Sequence, residues 1–271
     1  MALYSNTLAV IRRHVLSSVG DLLYGQCGTT GATTTKIYAP FLWQANDYYN
    51  NHRYHAYAYA GTNIGVDKRV TDWDLATFLL TVHSAYAAAC DATTYIEMHR
   101  IFTVQELHSA INLAIEAMAG KYLVDVKDET TITLVADTYE YNLPLSFLYL
   151  HSVVTENAVG DGIFNNEDEI DPRDWSIIKT YPPKLKLDKN RYGLVVGKDL
   201  RLEGHGTQPL VDSDTDVIFL PPEWLVMKAI TFLPMNKIQI HALIHTYRAA
   251  VEKTVRIPRN YPHPMSKSIV E

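Results

Sequence analysis

Apolar positions recur every three to four residues in three stretches of the chain, and close to every second residue in most of the others. In SNTLAVIRRHVLSSVGDLLYG, residues 5–25, Leu8, Ile11, Val15, Val19 and Leu22 share one stripe. Ser5 is placed to cap its first turn and Gly25 to end it, so the pattern predicts a helix. The sharpest helical signal is FTVQELHSAINLAIEAMAGKY. There Thr103 and Glu106 make a capping box, Phe102 is spaced to staple against Leu107, and Gly120 stops the helix. Leu107, Ile111, Ala114, Ile115 and Met118 form its apolar stripe. A third helix opens at Pro222 in PEWLVMKAITFL and is kinked by Pro234 before MNKIQIHALIHTYRAAVEK resumes it.

Between the helices the period shortens to two. HAYAYAG puts Tyr57 and Tyr59 on one strand face and Ala56 and Ala58 on the other, and FLLTVHSAY and TTYIEMHRIF also read as strands. From about 130 to 220 the segments TITLVAD, YEYNLP, LYLHSVV, WSIIKTY, LKLD, GLVVG, DLRLEG and TDVIFL predict an antiparallel sandwich or rolled sheet. ENAVGDGIFNNEDEIDPRD interrupts them as a polar loop. The last residues, TVRIPRNYPHPMSKSIVE, carry three prolines and no periodicity, which predicts an extended, mildly basic arm.

The expected fold is therefore α+β. A helical hub is built from 1–35, 103–127 and 221–254. Two antiparallel β modules, 36–102 and 128–220, are inserted into it, and an arm follows over 255–271. Composition adds little to the fold and more to the function. The chain is 47% hydrophobic and 20% charged, ordinary for a globular protein. Its formal net charge of −6, with no dominant Lys/Arg cluster, argues against tight nucleic-acid binding, which relies on many phosphate contacts. Two cysteines, Cys27 and Cys90, are too few for a disulfide framework and read as reduced, partly buried thiols. No cleavable leader and no run of about 18 apolar residues stands out, so a soluble chain made in a cytoplasm is expected. Tyrosine outnumbers phenylalanine eighteen to seven, and Tyr54, Tyr57 and Tyr59 are candidate interface residues.

No chemistry-bearing motif is complete. His241 and His245 have a metal-sharing spacing on a helix, but Ala242 stands where a zinc protease needs glutamate. His52 and His55 are too close for a structural zinc site. GTTGATTTK lacks the lysine–hydroxyl ending of a phosphate loop and follows a helix rather than a strand. In DGIFNNEDEID, Asp161, Asn165, Glu167 and Glu169 suggest calcium, yet Asn166 occupies the glycine position. Asp212, Asp214 and Asp216 share a strand face and, as repelling like charges, are expected at the surface. No cofactor, metal or catalytic residue is expected.

Five stretches in order resemble head-to-tail adaptor (neck or connector) proteins of tailed bacteriophages. They are GDLLYG before the Gly/Thr loop, GTNIGVDKRVTDWDLATFLLTV, TYIEMHRIFTVQELHSAINLAIEA, YEYNLPLSFLYLHSV and DTDVIFLPPEWLVMKAITFL. The resemblance implies a non-enzymatic virion protein of the neck, in a ring that is commonly twelve-fold. Such a ring docks on the portal protein and the downstream neck or tail proteins, and DNA passes through it without specific binding. No membrane is involved, and assembly takes place in the host cytoplasm. On this reading Leu220, Pro221, Pro222 and Glu223 form a rigid corner. Arg256, Ile257, Arg259, Tyr261 and Lys267 belong to a docking arm whose deletion leaves the monomer folded. The alternative is another virion or surface protein that binds carbohydrate or protein through the tyrosine-rich β module.

Overall fold

A computed structural model describes residues 5–269. In chain order its strands are β1 (Asn6–Thr7), β2 (Leu23–Gln26), β3 (Lys36–Tyr38), β4 (His55–Ala60), β5 (Asp67–Asp74), β6 (Leu79–Val82), β7 (Tyr95–His99), β8 (Val124–Thr133), β9 (Glu140–Asn142), β10 (Phe147–Thr155), β11 (Trp175–Ile178), β12 (Lys184–Leu187), β13 (Asp199–Gly206), β14 (Val217–Ile218) and β15 (Lys267–Ser268). The helices are α1 (Leu8–Ser18), α2 (Tyr48–Asn51), α3 (Val104–Met118), α4 (Pro222–Ile230), α5 (Met235–Ile240) and α6 (Ile244–Lys253).

Fifteen strands in four sheets against six helices, among the described residues, make the chain β-rich. This overturns the expected α+β helical hub with inserted β modules. Three local causes account for the difference. α1 stops at Ser18 because Gly20 turns into the left-handed region (φ 70°), and Leu23–Gln26 then extends against β7 instead of continuing the helix. The C-terminal helix breaks twice, at Pro234 and again at Ala242, whose φ is 56°. β5 is hidden in sequence because a bulge between Val70 and Asp72 spaces its buried Val70 and Trp73 three apart. GLVVG, in contrast, forms no strand, and Val195 and Val196 stand exposed.

The chain divides into two compact units, one of residues 5–117 with 210–256, the other of 118–209 with 257–269. In the first, a six-stranded antiparallel sheet runs β2-β7-β4-β5-β6-β3. It curls until its edges meet at a bridge between Gly28 and Tyr38. Trp73, Tyr49, Ile37, Leu80, Ile96 and Met98 fill the inside. Ala56 and Ala58 of β4 face this core and Tyr57 the opposite side, as the alternation of HAYAYA requires. At the end of β4, Gly61 is obligatory: its φ is 77°, and a Cβ there would lie 2.0 Å from the Thr93 carbonyl oxygen. α1, α3 and α4–α6 belong to this unit, and β14 pairs with β1.

In the second unit a four-stranded sheet, β15-β10-β13-β8, and a three-stranded sheet, β11-β12-β9, enclose one core. Phe147, Leu150, Trp175, Leu185, Leu200 and Leu202 are at its centre. Antiparallel pairing is as expected for this stretch, read as a sandwich or rolled sheet over 128–220, but the unit runs over 118–209 with 257–269, and TDVIFL instead supplies β14 of the first unit. The C-terminal segment is stitched to it rather than free. Asn260 exchanges two hydrogen bonds with the backbone of Leu123 (2.6 and 2.7 Å), Lys267 and Ser268 pair with β10, and Ile269 is buried in the core.

Candidate functional site

Arg12 and Glu97 are both fully buried in the first unit. Arg12 lies on α1 among Ile11, Val15 and Leu16, and its side chain is 0% exposed. Its Nε donates to Glu97 of β7 and its Nη1 to Asp214, while Nη2 reaches the second Asp214 oxygen at 3.2 Å. The Tyr57 hydroxyl of β4 donates to Asp214 Oδ2 at 2.8 Å, and the Arg12 guanidinium lies 4.5 Å from the centre of the Tyr57 ring. Arg12 Nη1 also meets His108 Nε2 of α3 at 2.8 Å. A guanidinium only donates, so Nε2 is the acceptor and His108 is neutral with its proton on Nδ1.

The loop that supplies Asp214 is built around α1. Its carbonyls at Asp216 and Asp214 accept the N–H groups of Leu8 and Ala9, which no earlier helical turn could satisfy. Asp216 Oδ2 in turn accepts the N–H groups of Asp212 and Ser213, and the Asn112 amide of α3 clamps both backbone groups of Val211. This corrects the reading of Asp212, Asp214 and Asp216 as one exposed strand face: Asp212 is exposed and Asp216 half-exposed, but Asp214 is buried. The segment is a turn, and Asp214 points inward because one arginine offsets the desolvation of its carboxylate.

One guanidinium here serves two buried carboxylates, and one of the two gives way. Burial pushes the Glu97 carboxyl up to about 7 against the pull of Arg12. Its Oε2 has no hydrogen-bond partner among the described residues, which suits a protonated acid. Burial also lowers His108, with Arg12 adding and Asp214 opposing. His99, two residues beyond Glu97 along β7, is held down at about 4 by burial; among the described residues neither ring nitrogen has a hydrogen-bond partner, and Asp67 lies 4.0 Å from Nε2. A third buried carboxyl group, Asp21, accepts the N–H groups of Arg100, Ile101 and Phe102 at 3.0, 2.8 and 3.1 Å. It ties the end of α1 to the turn before α3.

Beside the Arg12 cluster lies an open cleft of about 560 Å³, lined by Tyr57, Asp67, His108, Asp212, Ser213 and Asp214 among others. Its polar groups are largely committed to one another, since Asp214 is shared by Arg12 and Tyr57 and His108 is held by Arg12. The arrangement locks α1, β4, β7, α3 and the 211–216 turn into one rigid body. Nothing in it sets a nucleophile against a free base.

The residues singled out in the sequence fall in several places. Thr103 and Glu106 bond reciprocally through backbone N–H and side-chain oxygen (2.8 and 3.2 Å), and Glu106 also receives Lys237 at 2.7 Å. Leu220 is buried, Pro221 precedes the first turn of α4, Pro222 occupies that turn, and Glu223 is exposed. Tyr54 and Tyr57 are interior, so they present no aromatic surface, and half-exposed Tyr59 stacks under Arg13. Of the docking arm, Arg256, Arg259 and Tyr261 are exposed and Ile257 is half-buried. Lys267 is occupied: its Nζ lies 3.7 Å from the centre of the Trp175 ring and donates to the carbonyls of Pro172 and Trp175.

His241 and His245 lose their helical spacing to the break at Ala242. His52 Nδ1 contacts the Tyr48 carbonyl, and His55 lies 3.4 Å from Asp67. The Gly/Thr loop follows strand β2, not a helix. Asp161 is spent on the backbone of its own loop. Cys27 and Cys90 are free thiols, fully rather than partly buried. Arg12, Glu97 and Asp21 were not legible as a site, because their partners lie 79 to 202 residues away. The one available signal was an arginine inside the apolar face of the first helix. No helix among the described residues is long and apolar enough to cross a membrane. No protein-family model matches the chain, and no curated protein matches it in sequence.

Proposed function

We propose that this chain is a non-enzymatic structural subunit of a tailed-phage particle. It acts as a head-to-tail adaptor whose copies join side by side in a ring at the portal vertex, where DNA passes through without specific binding. The observation that carries the reading is the outer face of α6. Ile244, Tyr247 and Val251 lie at i, i+3 and i+7; Ile244 and Tyr247 are half-buried and Val251 is 42% exposed. Ile240 and Val255, just beyond its two ends, are each 75% exposed. A ten-residue helix is marginal alone, so an amphipathic face left open calls for a partner. In a ring that partner is the next copy, and the rigid Arg12 body suits a subunit that must repeat at one angle.

The order of the five resembling segments and the net charge of −6 support the same reading. The β-rich architecture departs from the helical hub of the resemblance, and Lys267 no longer belongs to the docking surface. Arg256, Arg259 and Tyr261 remain available for it. The test is incorporation into particles. Val251→Asp and Tyr247→Asp should exclude the chain from assembled particles while leaving its melting temperature unchanged. Normal incorporation of both variants would remove α6 from the interface and the main support with it.

A further inference from the structure

Three histidines of the sandwich have no part in the Arg12 site. The ring of His151 on β10 lies 5.2 Å from that of His205 on β13 and 5.5 Å from that of His263, in the segment leading to β15. Nδ1 of His151 and Nδ1 of His205 are buried without a hydrogen-bond partner. His263 is fixed to its own segment, where its Nδ1 accepts the Met265 N–H and its carbonyl accepts that of Ser266. The trio thus joins two neighbouring sheet strands to the chain's C-terminal segment.

Few charges are at hand to stabilise imidazolium here. Asp125 on β8 lies 3.5 Å from His205 Nε2. Glu203 on β13 also acts on His151, but Arg201 already holds it at 2.8 Å. The segment's own cation, Lys267, donates to the Pro172 and Trp175 carbonyls with Asp171 facing it. Asp125 is thus the carboxylate in contact with the rings, while Glu203 is paired with Arg201. Among the described residues the segment is held by the Asn260–Leu123 pair, two register positions on β10, the Ile269 N–H donated to the Leu148 carbonyl, the Lys267 bonds and the burial of Ile269.

We infer that the His151–His205–His263 cluster is an acid-operated latch, and that charging His151 and His205 drives the segment 257–269 off β10 and opens that sheet edge. The inference goes beyond the adaptor reading and does not depend on it. Burial holds His151 below the ordinary value of 6.5, with His205 and His263 adding to the effect. Burial lowers His205 too, with Asp125 opposing and His263 adding. A base with a depressed folded pKa binds fewer protons folded than unfolded. The latched state is therefore fully stable above about 6.5 and loses stability as pH falls below it. Release would present the backbone edge of β10 and the Ile269 side chain to a partner.

The test is hydrogen–deuterium exchange on the full chain with a chelator present, at about pH 7.5 and about pH 5.5, expressed as protection factors. Protection of residues 265–269 should fall about tenfold. It should fall less than about twofold in the variant His151→Gln with His205→Gln, and by an intermediate factor in His263→Gln. His241→Gln with His245→Gln should behave as the unaltered chain. Protection unchanged by acid, or an equal loss in the double variant, overturns the latch.

Discussion

Arg12 is the residue on which the first unit most depends. Removing it takes the cation from the buried Asp214 and leaves that carboxylate only the Tyr57 hydroxyl, so Arg12→Ala should cost about 3–5 kcal/mol, read from the midpoint of urea unfolding. Asp214→Asn should cost less, because the guanidinium keeps His108 and Glu97. The neighbouring groups set an unusual pH response. Glu97 has a folded pKa raised from 4.5 to about 7, so its contribution is full below about 4.5 and is lost as pH rises toward 7. His99 is lowered from 6.5 to about 4, so its contribution grows as pH rises through that window. The two oppose between about pH 4.5 and 6.5. Stability of this unit in Glu97→Gln should therefore rise with pH across that range more steeply than in the unaltered chain. An unchanged slope would show that Glu97 is ionised throughout. None of this was legible locally, because the pattern of α1 gives Arg12 a place on the buried face and nothing about its partners.

At the scale of the element, sequence reading was sound where local rules decide. The capping box of α3 formed as spaced, because Thr103 and Glu106 satisfy backbone groups within one turn. Thr103→Ala should cost about 1 kcal/mol, whereas Glu106→Gln, which keeps the reciprocal bond and loses the Lys237 charge pair, should cost less than about 0.5 kcal/mol. Reading failed where distant chain decides. β2 was taken for helix because its strand character comes from β7, some seventy residues on. β15 was taken for a free arm because two strand residues and one isoleucine leave no periodic trace. Deleting 257–271 therefore should not leave the sandwich intact. Ile269→Ala alone, which empties a position 2% exposed, should cost about 2–5 kcal/mol and lower the protection of β10 and β13 amides.

Across the whole molecule, the two units divide the work of the fold. One closes a curled sheet under helices braced by a buried ion cluster, and the other packs two sheets with the chain's end sewn into an edge. The antiparallel β content of 130–206 was legible where alternation is clean, as in β13, and turn residues punctuate the strands. The overall class was misjudged because short strands with bulges look like loops, while short helices look long when their breakers are single residues such as Ala242. Function follows the same division. The interior is largely committed to holding shape, and the candidate contacts lie on the open face of α6 and the exposed Arg256, Arg259 and Tyr261.

The central claim is that this shape repeats around an axis. It is tested most directly by cryo-electron microscopy of the native particle that contains the chain, read for position and rotational symmetry. A closed ring at the portal vertex, with Tyr247 and Val251 of each copy against its neighbour, is the predicted result. A single copy at the particle's periphery, or a ring in which α6 faces solvent, would contradict it.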